Sequence, residues 1–118
     1  MENFMRLSIV LFLLLAAAPV WSQNASLYGY GVHSCDDLVA SARQWESNEE
    51  EGALAHVQLR EWMSGFISGL SLSLGSDVTR GAGVEGMMRQ VVKQCTEHRQ
   101  SDVFTATMEL IKKRGGLE

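Results

Sequence analysis

Seven apolar residues between Leu59 and Leu74 constrain this chain more than any other feature. Leu59, Trp62, Met63, Phe66, Ile67, Leu70 and Leu74 fall at i, i+3, i+4, i+7, i+8, i+11 and i+15. That spacing is one continuous stripe on an α-helix and has no strand-like alternation. A stripe of this length needs an apolar partner: a bilayer, a core, or a second protein. The bilayer fails on length. Trp62 to Ser76 is 15 uncharged residues interrupted by serines, against the ~18–20 apolar residues a span requires. Gly65 and Gly69, with Ser64 and Ser68 beside them, leave one side of the helix nearly flat. Each glycine costs about 1 kcal/mol relative to alanine in a helix, so close approach of another helix is expected there. The stripe is read as the centre of an all-α core.

Three further helices supply the rest of that core. In "SCDDLVASARQW", Ser34 stands three residues before Asp37, a capping-box arrangement, and Asp36 and Asp37 favour the positive helix start. A helix is expected from about Cys35 to Trp45, with Leu38, Val39, Ala42 and Trp45 on its apolar face. The acidic stretch "ESNEEEG" reads as a solvated loop, leaving a second helix over Ala53–Leu74. Gly75–Gly83 reads as another loop by its glycines. Val84, Met87, Met88, Val91, Val92 and Cys95 then recur at helical spacing, with the two methionines as adaptable gap-fillers. After the polar connection "TEHRQSD", with Ser101 as expected N-cap, a fourth helix carries Val103, Phe104, Thr107, Met108, Leu110 and Ile111. Lys112, Lys113 and Arg114 suit its negative end, and Gly115 stops it.

Processing and redox compartment follow from the start of the chain and from its cysteines. Arg6, the uncharged run Leu7–Trp21 and the small residues near Ser22 have the layout of a cleaved signal peptide, with the cut expected between Ser22 and Gln23. The organisation expected is a signal peptide over 1–22, a flexible leader over 23–33 and a helical domain over 34–114. Cys35 and Cys95 are the 2 cysteines of the chain. An even count in an exported protein reads as a disulfide. Closing a loop of ~60 residues stabilises the fold by about 4 kcal/mol on the chain-entropy model. The expected architecture is a compact four-helix domain clamped by one disulfide.

Composition argues against several functions. The 118 residues carry 14 acidic and 10 basic side chains, a net charge of −4. Removing residues 1–22 takes away Glu2 and Arg6 and leaves that balance unchanged. A mildly acidic chain has no basic patch for nucleic acid and no basic stripe for a membrane surface. His33, His56 and His98 show no metal-ligand spacing with the cysteines. No G-x-S-x-G elbow, activated nucleophile or phosphate-binding glycine loop occurs. A binding protein without cofactor, metal or catalytic centre is expected.

The pattern of "SCDDL" at Cys35, "WMSGFISG" at Trp62–Gly69, "VVKQC" ending at Cys95 and a last amphipathic helix resembles the HdeA/HdeB-like proteins of the Gram-negative periplasm. The resemblance covers roughly Ser34 to Lys113. It implies a four-helix fold with a Cys35–Cys95 bridge, often as a dimer. It also implies an ATP-independent acid-stress chaperone, whose dimer separates in strong acid to bind unfolding periplasmic proteins. The residues allow such a switch. Below ~4 the carboxylates lose their charge while the basic residues keep theirs, so like-charge repulsion grows and the caps at Asp36, Asp37 and Asp102 weaken. The client- or dimer-binding surface expected is Trp62, Met63, Phe66, Ile67, Leu70, Met87 and Met88. The chain is similar, in size, helicity and cysteine content, to a second family: periplasmic immunity proteins that neutralise type VI secretion effectors. Under that alternative, the loops Glu46–Gly52 and Gly75–Gly83 carry the contacts.

Overall fold

In the computed structural model, which describes residues 2–4 and 26–118, the apolar stripe is the inner face of one long helix. The elements are α1 (Cys35–Glu46), α2 (Glu50–Leu74), α3 (Gly83–Glu97) and α4 (Val103–Lys113), preceded by a 3-10 turn at Gly29–Val32. Among the described residues there are no strands, only an isolated bridge between Ser34 and Asp102. The chain is thus an all-helical, compact fold. The expected signal-peptide cleavage point lies outside the described residues.

Local chemistry sets the helix boundaries. Ser34 Oγ accepts the Asp37 N–H at 3.0 Å and starts α1, which is half of the expected capping box. Asn48 takes a left-handed φ of 57°, so the chain reverses within Ser47–Glu49 and α2 begins at Glu50. The acidic run expected as a loop up to Gly52 is therefore partly helix. Glu50 and Glu51 occupy the first turn, where carboxylates are stabilised by the positive end of the helix dipole. Gly52 consequently lies inside α2, where the backbones of α1 and α2 meet. A methyl group there would collide with Trp45 N and Gln44 C and stand 2.8 Å from Gln44 Cβ. At the other end Gly75, with φ 72°, closes α2 in the left-handed conformation.

The core lies where the four helices converge. Leu38 and Val39 from α1, Leu59, Met63 and Ile67 from α2, Met87, Met88 and Val91 from α3, and Val103, Leu110 and Ile111 from α4 are all buried. Cys35 and Cys95, both sealed from solvent, form the disulfide with a Cα–Cα distance of 4.8 Å. It ties the first residue of α1 to the last turns of α3.

Several details differ from expectation, each for a physical reason. Trp45 is 46% exposed because it stands one residue from the end of α1, and its indole lies flat on His56 (4.1 Å, 8°). Leu74 is exposed because α2 outruns the core at its last turn. Asp102, not Ser101, caps α4, accepting the Thr105 N–H at 2.7 Å. The flat side of α2 meets no helix of this chain among the described residues, since a Cβ at Gly65 or Gly69 would find nothing within 4 Å. The segment Gly75–Gly83 folds inward: Val78 and Thr79 are buried. Asp77 accepts from Thr79 N (2.8 Å), the Thr79 hydroxyl (2.7 Å) and Gly81 N (3.0 Å). Arg114 Nε donates to Thr79 O at 2.8 Å, so the basic end of α4 also fastens this loop.

Candidate functional site

The seven residues expected as a binding surface are contiguous but differ in depth. Met63, Ile67, Met87 and Met88 are buried. Trp62, Phe66 and Leu70 are partly buried along the edge of the same cluster. At that edge the Trp62 and Phe66 rings lie parallel (5.2 Å, 5°), and Phe66 meets Phe104 edge-on (5.5 Å, 73°). The three rings form a wall from α2 to α4. In the folded chain the deep four belong to the core and only the wall approaches the surface.

A short strap crosses that wall. The 3-10 turn Gly29–Val32 lies within the segment expected as a flexible leader, yet Tyr30 and Gly31 are buried. Gly31 sits directly on the indole of Trp62: a Cβ there would stand 2.5 Å from Trp62 Cε2, 2.9 Å from Nε1 and closer still to Cζ2. Gly29, with φ 77°, would bring a Cβ to 3.0 Å from Trp62 Cδ1. Tyr30 stacks on His33 (4.4 Å, 19°). Val103 N donates to His33 O at 3.0 Å and Cys35 N to Ser101 O at 2.9 Å, pinning the strap's end to the start of α4. The alternation of tyrosine and glycine in "YGYG" was the available signal for this contact, since only bare backbone fits so close to an indole.

Carboxylates hold the surrounding joints. Asp36 pairs with Arg99, joining α1 to the turn after α3. Asp102 caps α4 beside the strap and also accepts from the Thr105 hydroxyl at 3.0 Å. Asp77 organises the inward loop. The Thr79 hydroxyl, then the Thr79 and Gly81 N–H groups, hold its pKa below the ordinary value of 3.8.

A second feature has no counterpart in the helical periodicity. A cavity of about 390 Å³ opens between α1, α2 and α3. Tyr30, Leu38, Leu59 and Met88 line its inner part, with Trp45 and His56 among its more exposed lining. On the opposite, outward side of α2, Leu54, Val57 and Leu72 are exposed.

Among the described residues, no group of three or more His, Cys, Asp or Glu could hold a metal ion. None of the described helices is long and apolar enough to cross a membrane. The chain matches no protein-family model, no curated protein and no solved structure.

Proposed function

We propose that this chain is an exported, periplasmic, ATP-independent chaperone. At low pH it exposes the Trp62–Phe66 wall and the apolar stripe beneath it to unfolding proteins. The observation that carries the reading is the mismatch between two kinds of fastening. The wall is covered by a strap held through a few hydrogen bonds, close to joints that depend on Asp36 and Asp102, while Asp77 holds a separate loop at the other end of α4. The helices beneath are joined by a covalent bridge that acid does not touch. In strong acid the carboxylates become neutral, so the Asp36–Arg99 pair and the charged caps are lost while the basic side chains repel one another. The strap and loops then loosen first. Cys35–Cys95 keeps α1 on α3, which yields an open but tethered chain offering Trp62, Phe66, Ile67, Leu70, Met87 and Met88. The resemblance to the HdeA/HdeB-like proteins points the same way.

The rival reading, a binder of one secretion effector through Glu46–Gly52 and Gly75–Gly83, has less support. Glu50–Gly52 is helix, and Val78 and Thr79 face the core. Light scattering of an acid-aggregating periplasmic protein at pH values from neutral to about 2 tests the proposal. Suppression of aggregation that appears only in acid, together with rising apolar-dye fluorescence, is the expected result. A chain that protects nothing at any pH refutes it.

A further inference from the structure

We propose that the groove between α1, α2 and α3 is a neutral-pH binding site for a small monocarboxylate with an apolar body, such as a medium-chain fatty acid. The proposal stands independently of the chaperone reading. A cavity of about 390 Å³ lies within the ~300–1,000 Å³ typical of small-molecule sites, near its lower end. It has room for a chain or a single ring. Leu38, Leu59 and Met88 supply the apolar lining, and the Trp45–His56 stack offers a flat aromatic wall.

The polar inventory selects the head group. Tyr30 is only 5% exposed and lines the groove, yet its hydroxyl has no hydrogen-bond partner among the described residues. No described side-chain oxygen is both sealed and unpaired, so this hydroxyl keeps some access to water, on a residue that lines the groove. Ser41 lines the same cavity, and its hydroxyl has no partner among the described residues. Arg89 also lines it, with no carboxylate in salt-bridge range among the described residues and no hydrogen bond. A guanidinium and two hydroxyls that have no partner among the described residues are a donor set on one lining, and a carboxylate is the acceptor such donors fit. Two carboxylates share the lining. Glu85 is engaged by Arg60 at 3.2 Å, so its charge is balanced. Glu46 has no partner among the described residues and is exposed at the last turn of α1, where water screens its charge, so the anionic head is assigned to Arg89.

The experiment is calorimetry on the purified full chain at neutral pH with three probes below their micellar concentrations: decanoate, decanol and decyltrimethylammonium. Tryptophan fluorescence, to which Trp45 in the groove wall contributes, serves as a second readout. Decanoate is expected to bind at least about tenfold tighter than either of the others, the value of one charge-assisted hydrogen bond. Arg89→Glu should remove that preference while leaving decanol binding in place, and Ala42→Phe should block all three by filling the groove. Arg89 is exposed, so its variant keeps the test decisive even if the Ala42 variant fails to fold. Equal affinities, a preference for the ammonium probe, absence of saturable binding, or a preference that survives Arg89→Glu would each overturn the proposal.

Discussion

Replacing Gly31 by alanine should open the strap at neutral pH. The added methyl would stand 2.5 Å from Trp62 Cε2 and 2.9 Å from Nε1, so one side of the contact has to give. Trp62 is poorly placed to do so, because its ring is stacked on Phe66 and Phe66 is braced by Phe104. The strap is weaker: its hold is the burial of Tyr30 and the backbone bonds that join His33 and Cys35 to the α4 start. Keeping it docked against the methyl costs about 1–3 kcal/mol of overpacking. Lifting it forfeits the burial of one large side chain, about 1.5–3 kcal/mol. The two limits agree on a loss of about 2 kcal/mol, or roughly a thirtyfold rise in the strap-open population. Hydrogen exchange reads this directly, since the Val103 amide bonds to His33 O whereas amides within α4 do not depend on the strap. The Val103 amide should exchange at least about tenfold faster, with apolar-dye binding appearing at neutral pH. A lowered unfolding midpoint with unchanged Val103 exchange and no dye signal would refute the reasoning, because the wall and not the strap would then have yielded.

Three other perturbations follow from the same geometry. Reducing Cys35–Cys95 should lower stability by about 4 kcal/mol, measured as the denaturant midpoint with and without dithiothreitol, and the reduced chain should lose its helicity in acid where the oxidised chain retains part of it. Asp77 has a lowered folded-state pKa, so its contribution is present above the ordinary value of 3.8 and is lost as pH falls through the lower folded value. Asp77→Asn should therefore flatten the acid limb of the stability profile, seen as a smaller drop in thermal midpoint between about pH 5 and 2 than in the parent. Gly52→Ala sets a methyl against the α1 backbone, which cannot rotate away as a side chain can; a loss of about 3 kcal/mol is expected in urea unfolding.

Periodicity and caps made the architecture legible because they are local. The stripe from Leu59 to Ile67 and the run from Met87 to Cys95 show which faces point inward, and Ser34 and Gly75 mark helix ends through their own backbone chemistry. What escaped depends on where separate segments meet. Gly52 looks like a loop residue until α1 is seen to cross there, and Gly31 looks like a flexible one until Trp62 is under it. Gly65 and Gly69 show the converse error: a spacing that suits close packing faces open space in this chain. Val78 was hidden among glycines and charges, although it is as deeply buried as Met63. The apolar wall was legible residue by residue from its spacing. Its cover and the groove were not, because both are made by the relative placement of three or more elements.

Tyr30 belongs both to the strap and to the groove lining, and this shared residue couples the two proposed activities. A ligand that touches Tyr30 binds the strap-docked state and must stabilise it by linkage, by about 2.7 kcal/mol at a hundred times its dissociation constant. Acid opening is then delayed to lower pH. A carboxylate ligand also titrates, however, and near ~4 it loses the charge that Arg89 recognises. It should hold the strap down through the mildly acid range and release it as the protein's own carboxylates are neutralised, which sharpens the transition. Decanesulfonate, which keeps its charge throughout, separates these effects. With decanoate, the dye-binding transition should steepen with little change in its lower end; with decanesulfonate, the whole transition should move to lower pH. Both shifts should vanish in Arg89→Glu. An opening curve indifferent to either ligand, measured where calorimetry shows the groove filled at neutral pH, would mean that Tyr30 leaves its place without disturbing the groove and that the two sites are uncoupled.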